Sequence, residues 1–293
     1  MAYTYRPIIN SDLLGEKITI RLPGFPGGKE ENCPIHYIVL GEGEPLLLVH
    51  SLGQSLYTWR HLIPILAEKY TVIAPDLVGF GFSGRPVSMN YTVDDMAEVL
   101  VKFIKALNYD HVHALGSSFG GMYLLRAMSR YEEMFDKVTV LCPGGITRQM
   151  PGKLRHMATP FIGPFVRESY TKKDVEKVLR LCYYDSTVIT REVLNNYFET
   201  LDSFSSRQAL MYCLRNFDEE LILEGLKGCT HPVFVLWGEE DRLRPFDNLQ
   251  TLRQYLQRGE YFSLRNAGHF FQEEKAEQLA DMVDKYILYG GER

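Results

Sequence analysis

The sequence predicts an α/β fold: a mostly parallel, doubly wound sheet of about eight strands, with antiparallel strands at the N-terminus and a helical lid insertion. Three observations predict it. From residue 45 onward, short runs rich in Val, Ile and Leu alternate with helical stretches, the rhythm of βαβ units. Most of these runs are apolar throughout, which suits strands covered on both faces of a parallel sheet. The rhythm then breaks between about residues 147 and 227, where helical patterns follow one another without a convincing strand.

The first forty residues read as β. "EKITIRL" and "CPIHYIVLG" are separated by the turn-rich "PGFPGGKEEN", which looks like a hairpin loop. The later strands are "PLLLVH", "TVIAPD", "HVHALG", "KVTVLC", "PVFVLWG" and "EYFSLRN". Between "TVIAPD" and "HVHALG" lies "TVDDMAEVLVKFIKALN". There Val93, Met96, Leu100, Ile104 and Leu107 recur at helical spacing, and Thr92 with Asp95 reads as a capping box. A helix at that place completes a right-handed crossover. The expected organisation is a core of residues 1–146 and 228–293 with residues 147–227 inserted as a lid. The insertion is rich in rings such as Phe161, Phe165, Tyr183 and Tyr197. Most must pack on one another, leaving a minority to line a pocket underneath.

Composition excludes several classes. The chain has 293 residues, 45% of them hydrophobic and 24% charged, ordinary values for a soluble globular protein. A formal net charge of -5 without any basic run argues against nucleic acid or an anionic membrane as partner. The five cysteines are odd in number and scattered, with no C-x-x-C; a reducing, cytoplasmic setting is expected rather than a disulfide framework or zinc site. "MAYTYRPIIN" does not read as a signal peptide, and no apolar run approaches the roughly 20 residues of a membrane span. The expected partner is a small-molecule substrate, with no cofactor and no metal; oligomeric state is left open.

The chemistry concentrates in "HVHALGSSFGGMYLLRAM". Only one frame satisfies G-x-S-x-G: Gly116, Ser118, Gly120. A strand pattern precedes it and a helix pattern follows, the context a nucleophile elbow needs. The helix would begin at the serine and aim its N-terminal N–H groups at developing negative charge. Ser118 is the candidate nucleophile. Among eight histidines, His36, His111 and His113 sit within strand runs, and His50 ends a strand near the site. His61 and His231 read as a helix-surface and a strand-entry residue. The pair His111 and His113 lacks further metal ligands. His156 lies in the insertion, where it is a candidate substrate contact. His269, in a Gly-containing loop after the last strand, is the candidate base, with one ring nitrogen for the serine proton and the other for a carboxylate. Asp241, Glu239 and Glu240 all follow "VFVLWG" and are candidates for that carboxylate. The segment "GFGFSG" matches G-x-G-x-x-G, but Arg85 and Pro86 follow it instead of a helix, so a dinucleotide site is not expected.

Taken together, these motifs resemble the α/β-hydrolase superfamily, in its serine-nucleophile branch, from about residue 35 to the end. "HSLGQS" looks like the oxyanion loop, "DLVGFGFSGRP" like an Asp-x-x-Gly-x-Gly-x-Ser segment, "GSSFGG" like the elbow, "GEEDRLRP" like the turn that carries the acid, and "NAGHF" like the histidine loop. The order Ser, Asp, His is the family's order. The resemblance picks Asp241 as the acid. It implies an oxyanion hole from the Phe119 and Leu52 N–H groups, with His50 shaping the loop. The family usually has His-Gly where this chain has His50-Ser51, so Ser51 alters the loop and adds a hydroxyl. Ser51 and Phe270 join His156 as candidate substrate contacts. The function so implied is a serine hydrolase acting on an ester of a small, largely hydrophobic substrate. The lid and elbow are also similar to carbon–carbon bond hydrolases of aromatic ring-cleavage pathways. Their dienolic substrates carry a carboxylate, and Arg148, Arg155 and Arg180 are the arginines in or near the insertion that such a group would meet. A non-catalytic ligand-binding member is the remaining alternative. Epoxide hydrolase and haloalkane dehalogenase readings need an aspartate at the elbow, where this chain has Ser118.

Overall fold

The computed structural model describes residues 14–22, 30–146, 150 and 152–291. Eight strands form one sheet: β1 (Glu16–Leu22), β2 (Glu31–Leu40), β3 (Glu44–Val49), β4 (Tyr70–Pro75), β5 (Val112–Ser117), β6 (Phe135–Leu141), β7 (Val233–Gly238) and β8 (Gly259–Leu264). Their order is β1-β2-β4-β3-β5-β6-β7-β8. β1 pairs antiparallel with β2, and β2 antiparallel with β4; every later pairing is parallel. Most of the expected hairpin loop, residues 23–29, lies outside the described residues.

The apolar runs occupy the places their composition demands. Every residue of β5 and of β7 is buried, because helices cover both faces of the sheet. β8, at the edge, alternates between part-buried and exposed positions. The covering helices include α1 (Ile63–Leu66), α2 (Val93–Ala106) and α3 (Phe119–Arg130). In α2 the capping box forms as expected: Asp95 N–H donates to Thr92 Oγ1 at 3.1 Å, and Thr92 N–H to Asp95 Oδ2 at 3.0 Å. Six helices follow β6: α4 (Gly152–Met157), α5 (Gly163–Glu168), α6 (Lys172–Cys182), α7 (Arg191–Glu199), α8 (Phe204–Arg215) and α9 (Glu219–Leu226). Then come α10 (Asn248–Tyr255), α11 (Phe271–Glu274) and α12 (Ala276–Tyr289). No described helix is long and apolar enough to cross a membrane.

The G-x-G-x-x-G segment makes a tight crossing. Asp76 accepts from Leu56 N–H and Phe82 N–H, each at 2.8 Å, and pairs with His36 Nδ1 at 2.7 Å. A Cβ at Gly81, where φ is +52°, would sit 2.1 Å from the Asp76 carboxyl carbon. Glycine at 81 is required by the Asp76 side chain.

The rings of the insertion divide. Tyr170, Tyr183 and Tyr197 are buried. Phe161 and Phe165 are 90% and 77% exposed, so they do not contribute the internal packing expected of them.

Candidate active site

β3 and β5 lie side by side, yet the chain leaves β3 towards β4 and leaves β5 towards β6. Connections that depart in opposite directions open a crevice at the carboxyl ends of those strands. Ser118 stands there, between the end of β5 and the first residue of α3. Its backbone has φ 50° and ψ -115°, sparsely populated angles for a residue with a side chain. The turn is held by three hydrogen bonds: Ser118 N–H to Leu141 O at 2.8 Å, and Met122 N–H and Gly144 N–H to Ser118 O at 3.0 and 2.9 Å. Gly120 permits the close approach that the turn needs. A Cβ on it would lie 2.3 Å from Val49 O and 2.4 Å from His50 O.

Asp241 follows β7 and His269 follows β8, and the two meet in the interior. His269 Nδ1 lies 2.6 Å from Asp241 Oδ2, both side chains fully buried. The other carboxylate oxygen accepts from Leu243 N–H at 2.8 Å and Arg244 N–H at 2.7 Å. Neither alternative acid competes. Glu239 bonds Ser263 Oγ on the surface, and Glu240 accepts from Ala267 N–H. His269 Nε2 has no partner among the described residues and faces the cavity that Ser118 also lines. Bonds of this kind are often long without substrate and tighten on binding. Cys142, at the end of β6, was not foreseen. Its sulfur, an Asp241 oxygen and a His269 nitrogen lie within 4.8 Å of one another. Burial first, and then the Asp241 charge and hydrogen bond, push its thiol pKa well up. Cys142 is therefore a neutral donor to the carboxylate. Asp241 thus also accepts hydrogen bonds from His269, Leu243 and Arg244.

The loop after β3 is clamped on several sides. His50 Nε2 accepts from Leu77 N–H at 2.8 Å, so the proton sits on Nδ1, which donates to Ser51 O at 2.7 Å. Ser51 N–H donates to Gln54 Oε1 at 2.9 Å. Leu52 N–H makes no hydrogen bond to the described residues, and Phe119 N–H makes only a long one, 3.4 Å, to Ser51 Oγ.

His50 carries a pH prediction. Burial pushes its pKa below the ordinary value, with the Asp76 charge acting the other way. The unfolded chain then takes up a proton near pH 6.5 that the folded chain refuses. Its contribution to stability is present above about pH 6.5 and declines as pH falls below that. Denaturant unfolding between pH 7.5 and 5 should show a steeper loss for wild type than for His50→Gln. Equal slopes would remove His50 from the acid response.

A cavity of about 90 Å³ joins these groups. Its floor includes Ser51, Leu52, Ser118, Phe119, His269 and Phe270. Its roof comes from the helices after β6, through Leu154, Val178, Leu179, Tyr197, Leu210 and Leu214. The C-terminal end of α6 presses on the histidine loop: Phe270 N–H donates to Cys182 O at 3.1 Å, and a Gly268 Cβ would lie 2.4 Å from that oxygen.

Seven of the eight expected site residues thus gather in one place, as Asp241 holds His269 from behind. His156 does not. It is exposed on α4, whose register turns Leu154 into the cavity and Arg155 and His156 away from it. Arg155 is exposed, and Arg180 is exposed and paired with Glu176 on its own helix; neither lines the cavity, and Arg148 lies outside the described residues. The arginine that does line it is Arg244, three residues after Asp241, 4% exposed and 5.9 Å from the Phe119 ring centroid. Its position within "GEEDRLRP" was the signal that could have found it.

A family model described as "alpha/beta hydrolase fold" matches residues 44–276. The chain is 30% identical over 270 residues to a soluble epoxide hydrolase of Corynebacterium sp. (strain C12), covering 86% of this chain and 93% of that protein. It is 25% identical over 259 residues to the 2-hydroxy-6-oxo-6-(2'-aminophenyl)hexa-2,4-dienoic acid hydrolase of Metapseudomonas resinovorans, covering 86% of each. The solved structure of 2-hydroxy-6-oxo-6-phenylhexa-2,4-dienoate hydrolase from Rhodococcus sp. strain RHA1 superposes with a TM-score of 0.76 at 25% identity, over 93% of this chain and 99% of that one. With a family model spanning most of its length, the chain belongs to the α/β hydrolase fold family.

Proposed function

We propose that the protein is a serine hydrolase that cleaves an acyl bond of a small, largely apolar carbonyl compound. The observation that carries this reading is the shared apolar cavity in which Ser118, on its strained turn, and His269, backed by Asp241 at 2.6 Å, both open. Ser118 Oγ attacks the carbonyl carbon as His269 Nε2 takes its proton. The oxyanion lies against the Phe119 and Leu52 N–H groups, each such donor worth on the order of 3 kcal/mol to the transition state. The imidazolium, stabilised by Asp241, returns the proton to the leaving group. Water then repeats the sequence on the acyl-enzyme. An epoxide-opening route would need an aspartate at the elbow, which holds Ser118.

For the bond itself, two observations favour carbon–carbon cleavage of a dienoate over simple ester hydrolysis. Relatives that cover most of the chain bear names of that chemistry. Arg244 brings a guanidinium to the wall of the cavity, a group whose geometry matches a carboxylate. The ester reading rests on the same machinery and lacks these two supports. At about 90 Å³ the cavity is smaller than the several hundred Å³ usual for ligand pockets, which favours a small substrate under either reading.

The test measures the loss of absorbance of a coloured 2-hydroxy-6-oxo-2,4-dienoate beside a 4-nitrophenyl ester chain-length series. A kcat/KM at least tenfold higher for the dienoate is expected, a difference of about 1.4 kcal/mol in transition-state binding. The reverse ratio restores the ester reading. Failure of both, with no fluorophosphonate labelling, leaves a ligand-binding member of the fold.

A further inference from the structure

We infer that the Ser51 hydroxyl is a third donor to the oxyanion, so that this site stabilises negative charge with a side chain as well as two backbone groups. The inference rests on the serine-hydrolase reading above and adds a catalytic residue to it.

The geometry that points to it is local. Ser51 is 4% exposed and lines the cavity. Its Oγ lies 3.4 Å from Phe119 N and accepts that N–H. A hydroxyl has one proton to donate as well, and among the described residues the Ser51 proton has no acceptor. An oxyanion placed about 3 Å from Phe119 N can therefore also lie within hydrogen-bond reach of Ser51 Oγ. On its arrival the N–H turns from a long bond with a neutral hydroxyl to a short one with a charge, and the hydroxyl turns its free proton the same way. Hydrogen bonds to an ionised acceptor are roughly twice as strong as neutral ones.

The backbone of Ser51 takes no part in this exchange. Its N–H is held by Gln54 Oε1, and its carbonyl accepts from His50 Nδ1 and, at 3.3 Å, from Gln54 N–H. Gln54 is held in turn by its Nε2 donating to Tyr197 OH at 3.3 Å, on α7 of the roof. With both backbone groups engaged, only the side-chain torsion of Ser51 is free to respond, and a hydroxyl on a fixed loop needs little reorganisation to meet developing charge. The glycine that the family usually places here lacks such a group.

The test separates a transition-state donor from a structural or binding role. Ser51→Ala and Ser51→Thr are compared with wild type on 4-nitrophenyl butyrate and on two inhibitors of equal chain length, a trifluoromethyl ketone that forms a tetrahedral oxyanion and a methyl ketone that does not. Ser51→Ala should lower kcat about 100-fold, as removal of one oxyanion donor does, with KM within about twofold. It should weaken the trifluoromethyl ketone by a similar factor and leave the methyl ketone unchanged. Ser51→Thr, which keeps the hydroxyl, should recover most of kcat. A kcat for Ser51→Ala within about threefold of wild type, or an equal loss of both ketones, overturns the inference. Fluorophosphonate labelling reads the parent proposal separately. Wild type that labels while Ser51→Ala keeps full kcat overturns only the donor role; wild type that does not label at Ser118 overturns both.

Discussion

Ser118→Ala should lower kcat/KM by at least about 10⁴-fold and abolish fluorophosphonate labelling, because Ser118 is the hydroxyl on the elbow turn that shares the cavity with the unpartnered His269 Nε2. The cavity's other hydroxyls and thiol are poorly suited to replace it. Ser51 hangs on a clamped loop, Tyr197 is engaged with Glu273, and burial raises the Tyr170 phenol and the Cys182 thiol above their ordinary pKa values. Residual turnover should reflect only the oxyanion donors and binding. The same position supplies a second, opposite readout. A φ of 50° with ψ -115° costs a residue bearing a Cβ on the order of 1–3 kcal/mol, and alanine keeps that cost while glycine does not. Ser118→Gly should therefore unfold at a higher temperature than Ser118→Ala, although both are inactive. Undiminished labelling of either variant would sink the nucleophile assignment. A lower Tm for the glycine variant would remove the strain argument and leave the assignment standing.

What could be read beforehand was whatever depends on short stretches of chain. Strands such as "PVFVLWG" declare themselves by being apolar throughout, since β7 has no solvent face, and the Thr92–Asp95 cap is complete within four residues. The elbow is equally local: the strained Ser118 turn joins the end of β5 to the start of α3, and Met122 N–H closes it on Ser118 O. Contacts that close across long stretches were not legible. Nothing near His156 says which way a six-residue helix will face, and its register put Leu154 in the cavity instead. Arg244 was passed over because it sits in a motif read only for its aspartate. Cys142 ends a strand and looks like core until β7 brings Asp241 beside it. Gln54 and Tyr197 are 143 positions apart, and only the folded roof makes them partners.

The largest stability effect is expected at that long-range junction, from Glu273→Ala. Glu273 ends in the interior four residues beyond His269, with a side chain of 0% exposure. Arg60 Nη1 lies 2.6 Å from one oxygen, and Tyr183 OH donates to the same oxygen at 2.8 Å. Thr58 Oγ1 donates to the other at 2.8 Å, joined there by Tyr197 OH. Tyr183 and Tyr197 belong to the helical stretch between β6 and β7, and Arg60 and Thr58 to the segment after β3, so one carboxylate ties the cavity's roof to that segment. A buried pair of this kind adds little over an apolar replacement of both partners, but removing one partner strands the charge and donors of the rest, typically at about 3–5 kcal/mol. Glu273→Ala should lower the unfolding free energy by that amount and Tm by about 10 °C. Glu273→Gln, which keeps the shape and one acceptor, should lose less, and Tyr183→Phe less again, about 1.5–3 kcal/mol for one hydrogen bond to a charge. Because Tyr197 also holds Gln54 and thus Ser51 N–H, Tyr197→Phe should lower kcat more than Tyr183→Phe does at a similar cost in stability. A Glu273→Ala protein with wild-type Tm would mean that the carboxylate does not bind roof to core.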